Sequence, residues 1–122
     1  MTATGQERRE RAQGAKADAL QSALRELDGR LADWADDFVF GQVWDAPGIS
    51  ADEQMLVAIT ALATAGRTRQ LCNYLHGALQ AGIPEERLRS ALRMLVVYAG
   101  FPVAIDALVA LQAACASRRV TS

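Results

Sequence analysis

The side chains that most often carry catalysis or bind metals are scarce in this chain. His76 is the only histidine, so a His-based metal site or a Ser-His-Asp triad has little to draw on. Cys72 and Cys115 lie too far apart to form a CxxC pair or a zinc-binding spacing. We therefore expect no metal site and no cofactor. The cysteine usage also indicates a reducing, cytoplasmic compartment.

Glu53 and Gln54 are polar residues near the start of a largely apolar segment, residues 51–65. Ser50 and Glu53 have the spacing of a capping box, which gives Glu53 a structural role and makes a substrate-binding role the less favoured one. Gln54 is costly among apolar neighbours unless its amide is paired. We therefore take Gln54 as a candidate pocket residue, the alternative being a solvated first helical turn.

Composition limits the architecture and the partners. A chain of 122 residues that is 51% hydrophobic and 22% charged predicts one soluble domain over residues 1–122, with residues 1–6 and 117–122 frayed. The net charge of -1 gives no electrostatic reason to bind nucleic acid. We also expect no membrane association, because no apolar run reaches about 18 to 20 residues and no signal peptide opens the chain.

Periodicity and breakers predict an all-α fold without strands or internal repeats. The expected elements are a long helix over about residues 7–37, a structured connector over 38–50, and helices over about 51–65, 68–81, 84–99 and 103–117. The long helix has an apolar seam that must pack on another helix, either of this chain or of a second subunit. Because the later helices are so apolar, we expect a homo-oligomer.

Three segments from residue 40 onward have a distinctive order of residues: FGQVWDAPGIS, LVAITALATAGR and GALQAGIPEERLRSALRMLVVYAGFPVAIDAL. They resemble the carboxymuconolactone decarboxylase family, over about residues 8–115. The resemblance implies a compact all-helical protomer of the alkylhydroperoxidase D-like type that assembles into trimers or hexamers, with pockets near subunit contacts. Some members of this family decarboxylate a lactone acid, and others use a CxxC-x3-H redox site.

The chain departs from the family pattern at the polar positions. The family histidine falls on Tyr74, and the acidic residue four positions earlier has become Gln70. His76 lies two residues from Tyr74, about 200° further round a helix, so it does not simply replace the missing imidazole. Two family arginines have become Ala46 and Gln54. The substrate carboxylates that those arginines would anchor are therefore not expected here.

The redox branch of the family is also excluded by the residues present. Its two cysteines would fall on Arg67 and Gln70, and Cys72 is off that pattern. A dithiol peroxidase is therefore not expected. Arg67 is instead a candidate to hold an anionic group at the mouth of a pocket, and Trp44 is a candidate pocket wall.

The resemblance and the departures together imply a divergent, cofactor-free lyase, isomerase or cyclase. Its substrate would be a small, largely apolar, carbonyl-bearing molecule of aromatic catabolism or natural-product biosynthesis. Tyr74 would act as proton donor or oxyanion partner, with Gln70 and Gln54 orienting the substrate and His76 as a further catalytic candidate. The alternative is a non-catalytic scaffold that binds a ligand or a partner. An ordinary decarboxylase would require His76 to point into the pocket.

Overall fold

The structure is a computed structural model that describes residues 4–121, with side chains up to Arg118. Every regular element in these residues is helical, as the sequence predicts. The elements in chain order are α1 (Gly5–Gln13), a 3-10 turn (Gly14–Lys16), α2 (Ala17–Leu27), α3 (Gly29–Trp34), a π-helical segment (Ala35–Val43), α4 (Ala51–Thr64), α5 (Thr68–Gln80), α6 (Glu85–Arg93), α7 (Leu95–Tyr98) and α8 (Phe101–Thr121).

The predicted helix over residues 7–37 is wrong as a single element, because the chain turns twice within it. Gly14 ends α1 with φ 68°, a conformation that suits glycine and stops the helix. Asp28 has extended backbone angles and caps α3, since its carboxylate accepts from the Arg30 amide at 2.8 Å. As a result α2 and α3 fold against each other, and the apolar seam is divided between them.

The ends of the chain and the predicted connector are more helical than expected. α1 already begins at Gly5 and α8 continues to Thr121, while residues 1–3 and 122 of the predicted frayed ends lie outside the described residues. The helix also continues past residue 38 as the π-helical segment, in which the Trp44 amide donates to the Val39 carbonyl five residues back at 2.9 Å. Longer π-helical stretches are rare and often mark functional sites.

The core lies where α4, α5, α6 and α8 meet, with α5 packed against both α4 and α8. Its largest fully buried side chains are Phe40, Ile59, Leu75, Leu88, Leu92 and Leu111. α1 crosses outside this core and packs on the π-helical segment and on α5. The approach to α5 is so close that a Cβ atom at Gly77 would overlap the Ala12 carbonyl.

α8 is more apolar than the sequence analysis allowed for. Among the described residues, its window Phe101–Arg118 has a mean hydropathy of 1.3 and would suffice, by length and composition, to cross a membrane. A third of that window is buried inside the protein. Ala104, Ala107, Leu111 and Ala114 form the buried side at spacings of three and four, so α8 is one of the core helices.

A buried ion pair fixes α1 to the π-helical segment. Arg9 is only 3% exposed, and its Nε donates to Asp36 Oδ1 at 2.6 Å while Nη1 donates to the Ala17 carbonyl at 2.9 Å. The other Asp36 oxygen accepts from Gln21 at 3.3 Å. The guanidinium therefore has one partner on α2 and one on the π-helical segment. Removing one of them leaves a buried charge uncompensated.

The substitution Asp36→Asn tests this arrangement. We expect it to lower the free energy of unfolding by about 3 kcal/mol, because the Arg9 charge would lose its counter-ion inside the protein. Asp33→Asn is the control, since the Arg25–Asp33 pair is more than half exposed on both sides and its loss should cost at most about 1 kcal/mol. Urea unfolding at one fixed protein concentration measures both. Equal small losses would contradict the role given to Arg9.

Candidate active site

A cavity of about 360 Å³ lies between α1, the end of the π-helical segment and the first turns of α4. Trp44 and Gln54, both predicted as pocket residues, line it together with Met55. The Gln54 Nε2 atom donates to the Trp44 carbonyl oxygen at 2.9 Å, so the amide is paired as the sequence argument required. One N–H and the carbonyl oxygen of this amide are left for other contacts.

The α1 wall of this cavity was missed in the sequence analysis. It carries Glu7, Arg8 and Arg11, so two guanidinium groups line a pocket that was expected to be neutral. Arg8 donates to the Phe40 carbonyl and to Asp45, each at 2.6 Å. These residues are more than thirty positions apart in sequence, and no local pattern joins them. The only available signal was that residues 8 and 11 share one helical face.

Each of these guanidinium groups has an acidic neighbour. Arg8 pairs with Asp45, and Arg11 lies 3.6 Å from Asp52. Asp52 is also 3.4 Å from Arg87, while Glu7 adds a further carboxylate to the cavity wall. The cavity wall therefore carries two guanidinium groups and one carboxylate, while Asp45 and Asp52, which do not line the cavity, bring the local charge into balance. This balance favours a neutral ligand over one that carries two carboxylates.

Tyr74 lies beside the cavity rather than on its surface. Its ring centroid is 6.4 Å from that of Trp44, and the Trp44 ring is in turn 5.2 Å from Phe40. Burial raises the pKa of the Tyr74 hydroxyl, and a hydrogen bond with the Gln13 side chain partly opposes the rise. The phenol therefore keeps its proton at neutral pH and can act as a hydrogen-bond or proton donor.

Three other predicted site residues lie away from this cavity. Gln70 and Arg67 are exposed at the start of α5, and neither lines the cavity. Glu53 is exposed and completes the capping box, accepting from the Ser50 amide at 2.7 Å. These hydrogen bonds with Ser50 lower the pKa of the Glu53 carboxyl. The charged Glu53 carboxylate therefore stabilises the first turn of α4.

His76 also lies away from this cavity, near the charged groups of Lys16 and Arg118. Burial lowers the pKa of its imidazole, and the positive charges of Lys16 and Arg118 lower it further. It does not line the cavity beside Trp44. Within the described part of the chain, no three His, Cys, Asp or Glu side chains come together as metal ligands would.

The comparisons with known proteins agree with this all-helical scaffold. The model of the carboxymuconolactone decarboxylase family matches residues 29–113, which is well over half of the chain. The chain therefore belongs to the carboxymuconolactone decarboxylase family. It is also similar to the 4-carboxymuconolactone decarboxylase of Acinetobacter baylyi (strain ATCC 33305 / BD413 / ADP1), with 31% identity over 65 residues. That match covers 53% of this chain and 48% of the relative, so the chain spans about half the length of that protein.

α1 and α2 lie before the residues that the family model matches. The cavity thus combines a wall from the family scaffold, with Trp44, Gln54 and Met55, and a wall from α1 that the match does not include. Because the family model matches only residues after α1, it could not identify Arg8 and Arg11 as residues of this cavity.

The imidazole environment gives a pH prediction. Because the pKa of His76 is lower in the folded protein than in the unfolded chain, the unfolded state binds more protons below about pH 6.5, and acidification should destabilise the fold. Proton NMR of the only histidine should give a pKa below about 6.5. Lys16→Gln should raise that pKa by removing a nearby positive charge. A wild-type pKa above the ordinary value would contradict this placement.

Proposed function

We propose that the protein is a cofactor-free lyase, isomerase or cyclase that acts on a small, largely apolar, carbonyl-bearing molecule in the cavity beside Trp44. The observation that carries this proposal is a protonated, half-buried phenol, Tyr74, in ring contact with the tryptophan that lines the cavity. The volume of about 360 Å³ suits a molecule with a single ring. The paired charges of the α1 wall favour a neutral substrate.

The chemistry would proceed through an enol or enolate of the substrate. When a C–H bond next to a carbonyl breaks, the Glu7 carboxylate on the cavity wall takes the proton, and when a C–C bond breaks, the electron-deficient fragment leaves as the second product. In both cases the electron pair of the broken bond moves onto the carbonyl oxygen. Tyr74 donates a hydrogen bond or its proton to that oxygen, and the free N–H of Gln54 orients the substrate. A proton then returns to carbon in a lyase or an isomerase. In this proposal Trp44 is the apolar wall against which the substrate ring packs.

A non-catalytic binding scaffold is the second candidate. It is supported by the position of Gln70 in solvent and by Tyr74 lying beside, not on, the cavity surface. The enzyme proposal, by contrast, requires contact between the Tyr74 hydroxyl and a ligand that enters next to Trp44. Activity measurements on Tyr74 variants separate the two candidates.

Acid–base chemistry at Tyr74 can be tested with acetophenone as an enolisable one-ring ketone. We expect the protein to accelerate exchange of its methyl protons in D₂O, measured by NMR, and Tyr74→Phe to slow that exchange about 100-fold. Tyr98→Phe is the control, because Tyr98 is exposed and far from the cavity wall. Incubation with 4-carboxymuconolactone should release no carbon dioxide. Equal exchange by the wild type and Tyr74→Phe would support the scaffold instead.

We also propose that the protein works in the cytoplasm as a homo-oligomer, a trimer or hexamer. Cys72 and Cys115 are both free, which suits a reducing compartment. The chain exposes 7555 Å² of surface, where a folded monomer of 13.1 kDa is expected to expose about 6,400 Å². The excess of about 1,150 Å² is larger than the surface that one partner buries in a standard interface, about 800 Å².

The surface most suited to that contact is the α7–α8 face. It carries six large apolar side chains that are each more than half exposed, and apart from the adjacent pair Val97 and Tyr98 they follow one another at spacings of three or four: Met94, Val97, Tyr98, Phe101, Ile105 and Val109. A second apolar groove, of about 640 Å³, lies between α2 and α3 and includes Trp34 and Phe38. Two separate apolar faces on one protomer allow a closed ring or a dihedral assembly rather than a simple dimer.

The oligomer is tested by native mass spectrometry of the wild type and Ile105→Glu. We expect a trimer or hexamer for the wild type and smaller species for the variant, because a carboxylate in an apolar interface remains unpaired. Val57→Glu is the matched control on an exposed position of α4, and it should keep the wild-type mass. A monomeric wild type, or an unchanged mass for Ile105→Glu, would exclude the α7–α8 face as the interface.

A further inference from the structure

The cavity beside Trp44 has a polar open end and an apolar closed end. Glu7 and Arg11, one helical turn apart on α1, are exposed and mark the open end. Two other residues of the wall are buried, Ala12 at 1% and Met55 at 3% exposed, and they form the closed end. A ligand that enters the cavity therefore meets charged groups first and apolar side chains last.

One half of the closed end is fixed by the main chain. The Ala12 carbonyl oxygen lies so close to α5 that a Cβ atom at Gly77 would overlap it, so α1 and α5 are in backbone contact there. The Ala12 side chain is a single methyl group and has no alternative rotamer that would deepen the cavity. A longer ligand therefore finds no additional room on this side.

Met55 is the half of the closed end that a longer ligand would press against. It belongs to the buried side of α4, together with Ile59 and Ala63, and its side chain lies between the cavity and the core. Methionine is unbranched and adaptable, but the close packing of a protein core leaves it little space to retreat into. The Met55 side chain therefore sets the depth of the cavity.

The proposed reacting groups lie along the side of the cavity and at its open end. Tyr74 does not line the cavity, and its ring contacts the Trp44 ring at 6.4 Å between centroids, so it reaches a ligand at the level of Trp44. Glu7, the proposed proton acceptor, is at the open end. A carbonyl group beside Trp44, with its α-carbon toward Glu7, has its other substituent directed toward Met55.

We propose that Met55 is the specificity-determining residue of this cavity, and that the substrate is an aryl ketone bound with its ring at the closed end and its α-carbon at the open end. The apolar ring is then buried against Met55 and Ala12, away from the charges of Glu7 and Arg11. Substituents on the ring opposite the carbonyl are accepted only as far as the Met55 side chain. This inference rests on the proposed function, because the orientation of the carbonyl follows from the roles given there to Tyr74 and Glu7.

Two ketones that differ only at the far end of the ring test the depth limit by NMR titration. Acetophenone has a hydrogen at that position, and 4-tert-butylacetophenone has a bulky apolar group whose burial would by itself favour binding. We expect the wild type to bind acetophenone about tenfold more tightly, because the larger group would overpack the closed end. Met55→Ala should bind the tert-butyl compound at least as tightly as acetophenone. Equal or tighter binding of the tert-butyl compound by the wild type would overturn the inference.

Two further variants separate the depth of the cavity from general loosening of the core. Ile59→Ala is the matched control, since Ile59 is fully buried one turn further along α4 and does not line the cavity. It should keep the preference for acetophenone. Met55→Val removes less of the side chain, so it retains the fold if Met55→Ala does not, and it should reduce the preference to about threefold. A preference that is unchanged in the Met55 variants, or equally reduced in Ile59→Ala, would contradict the role of Met55.

The orientation has a direct readout in 4-methylacetophenone, whose ring methyl and acetyl methyl groups give separate proton signals. The chain has three methionines, and comparison with Met55→Val identifies the Met55 signal in protein labelled at its methionine methyl groups. We expect a nuclear Overhauser effect between the Met55 methyl group and the ring methyl, and none with the acetyl methyl. An effect from the acetyl methyl, or from neither group, would overturn the binding mode.

Failure of the proposed function is distinguishable from failure of this inference. A depth limit that depends on Met55, without exchange of the acetophenone methyl protons, would reject the enzyme and keep the binding mode. Exchange that depends on Tyr74, in a wild type that binds both ketones equally, would keep the enzyme and reject Met55 as its specificity determinant.

Discussion

The attachment of α1 to the π-helical segment is the constraint on which the candidate site depends. The buried Arg9 guanidinium joins Asp36 and the Ala17 carbonyl, and nearby Arg8 holds the Phe40 carbonyl. Both arginines belong to α1, so one helix bears the charges that fix it in place and also the wall of the cavity. If α1 were released, the cavity would lose Arg8 and Arg11. The ion pair therefore links folding directly to the proposed chemistry.

The candidate site combines residues that the family model matches with residues of α1 that precede the match. Residues 29–113 match the carboxymuconolactone decarboxylase family, while α1 precedes them. By the resemblance, the family's histidine, its acidic residue and two of its arginines would fall on Tyr74, Gln70, Ala46 and Gln54. α1 then introduces arginines whose charges are already balanced by carboxylates. In the account proposed here, the result is a cavity for a neutral molecule.

The sequence predicted those features that depend on neighbouring residues. The capping box of Ser50 and Glu53, the all-α class and the pairing of Gln54 all follow from local spacing, and the structure contains them. Asp28 and Gly14 also act locally, but each is tolerated inside a helical pattern, so the breaks there were missed. Arg8 and Arg11 could not be found, because their roles arise from contacts with residues 32 to 41 positions away in the sequence. Exposure of Gln70 depends on how α5 packs, which helical periodicity alone does not decide.

The most direct test of this account is a crystal structure of the assembled protein with phenol bound. The account predicts that the ring packs against Trp44, with its hydroxyl at a hydrogen-bond distance of about 2.7 to 3.0 Å from the Tyr74 hydroxyl. Phenol located elsewhere, with the cavity filled by side chains of a neighbouring subunit, would contradict it.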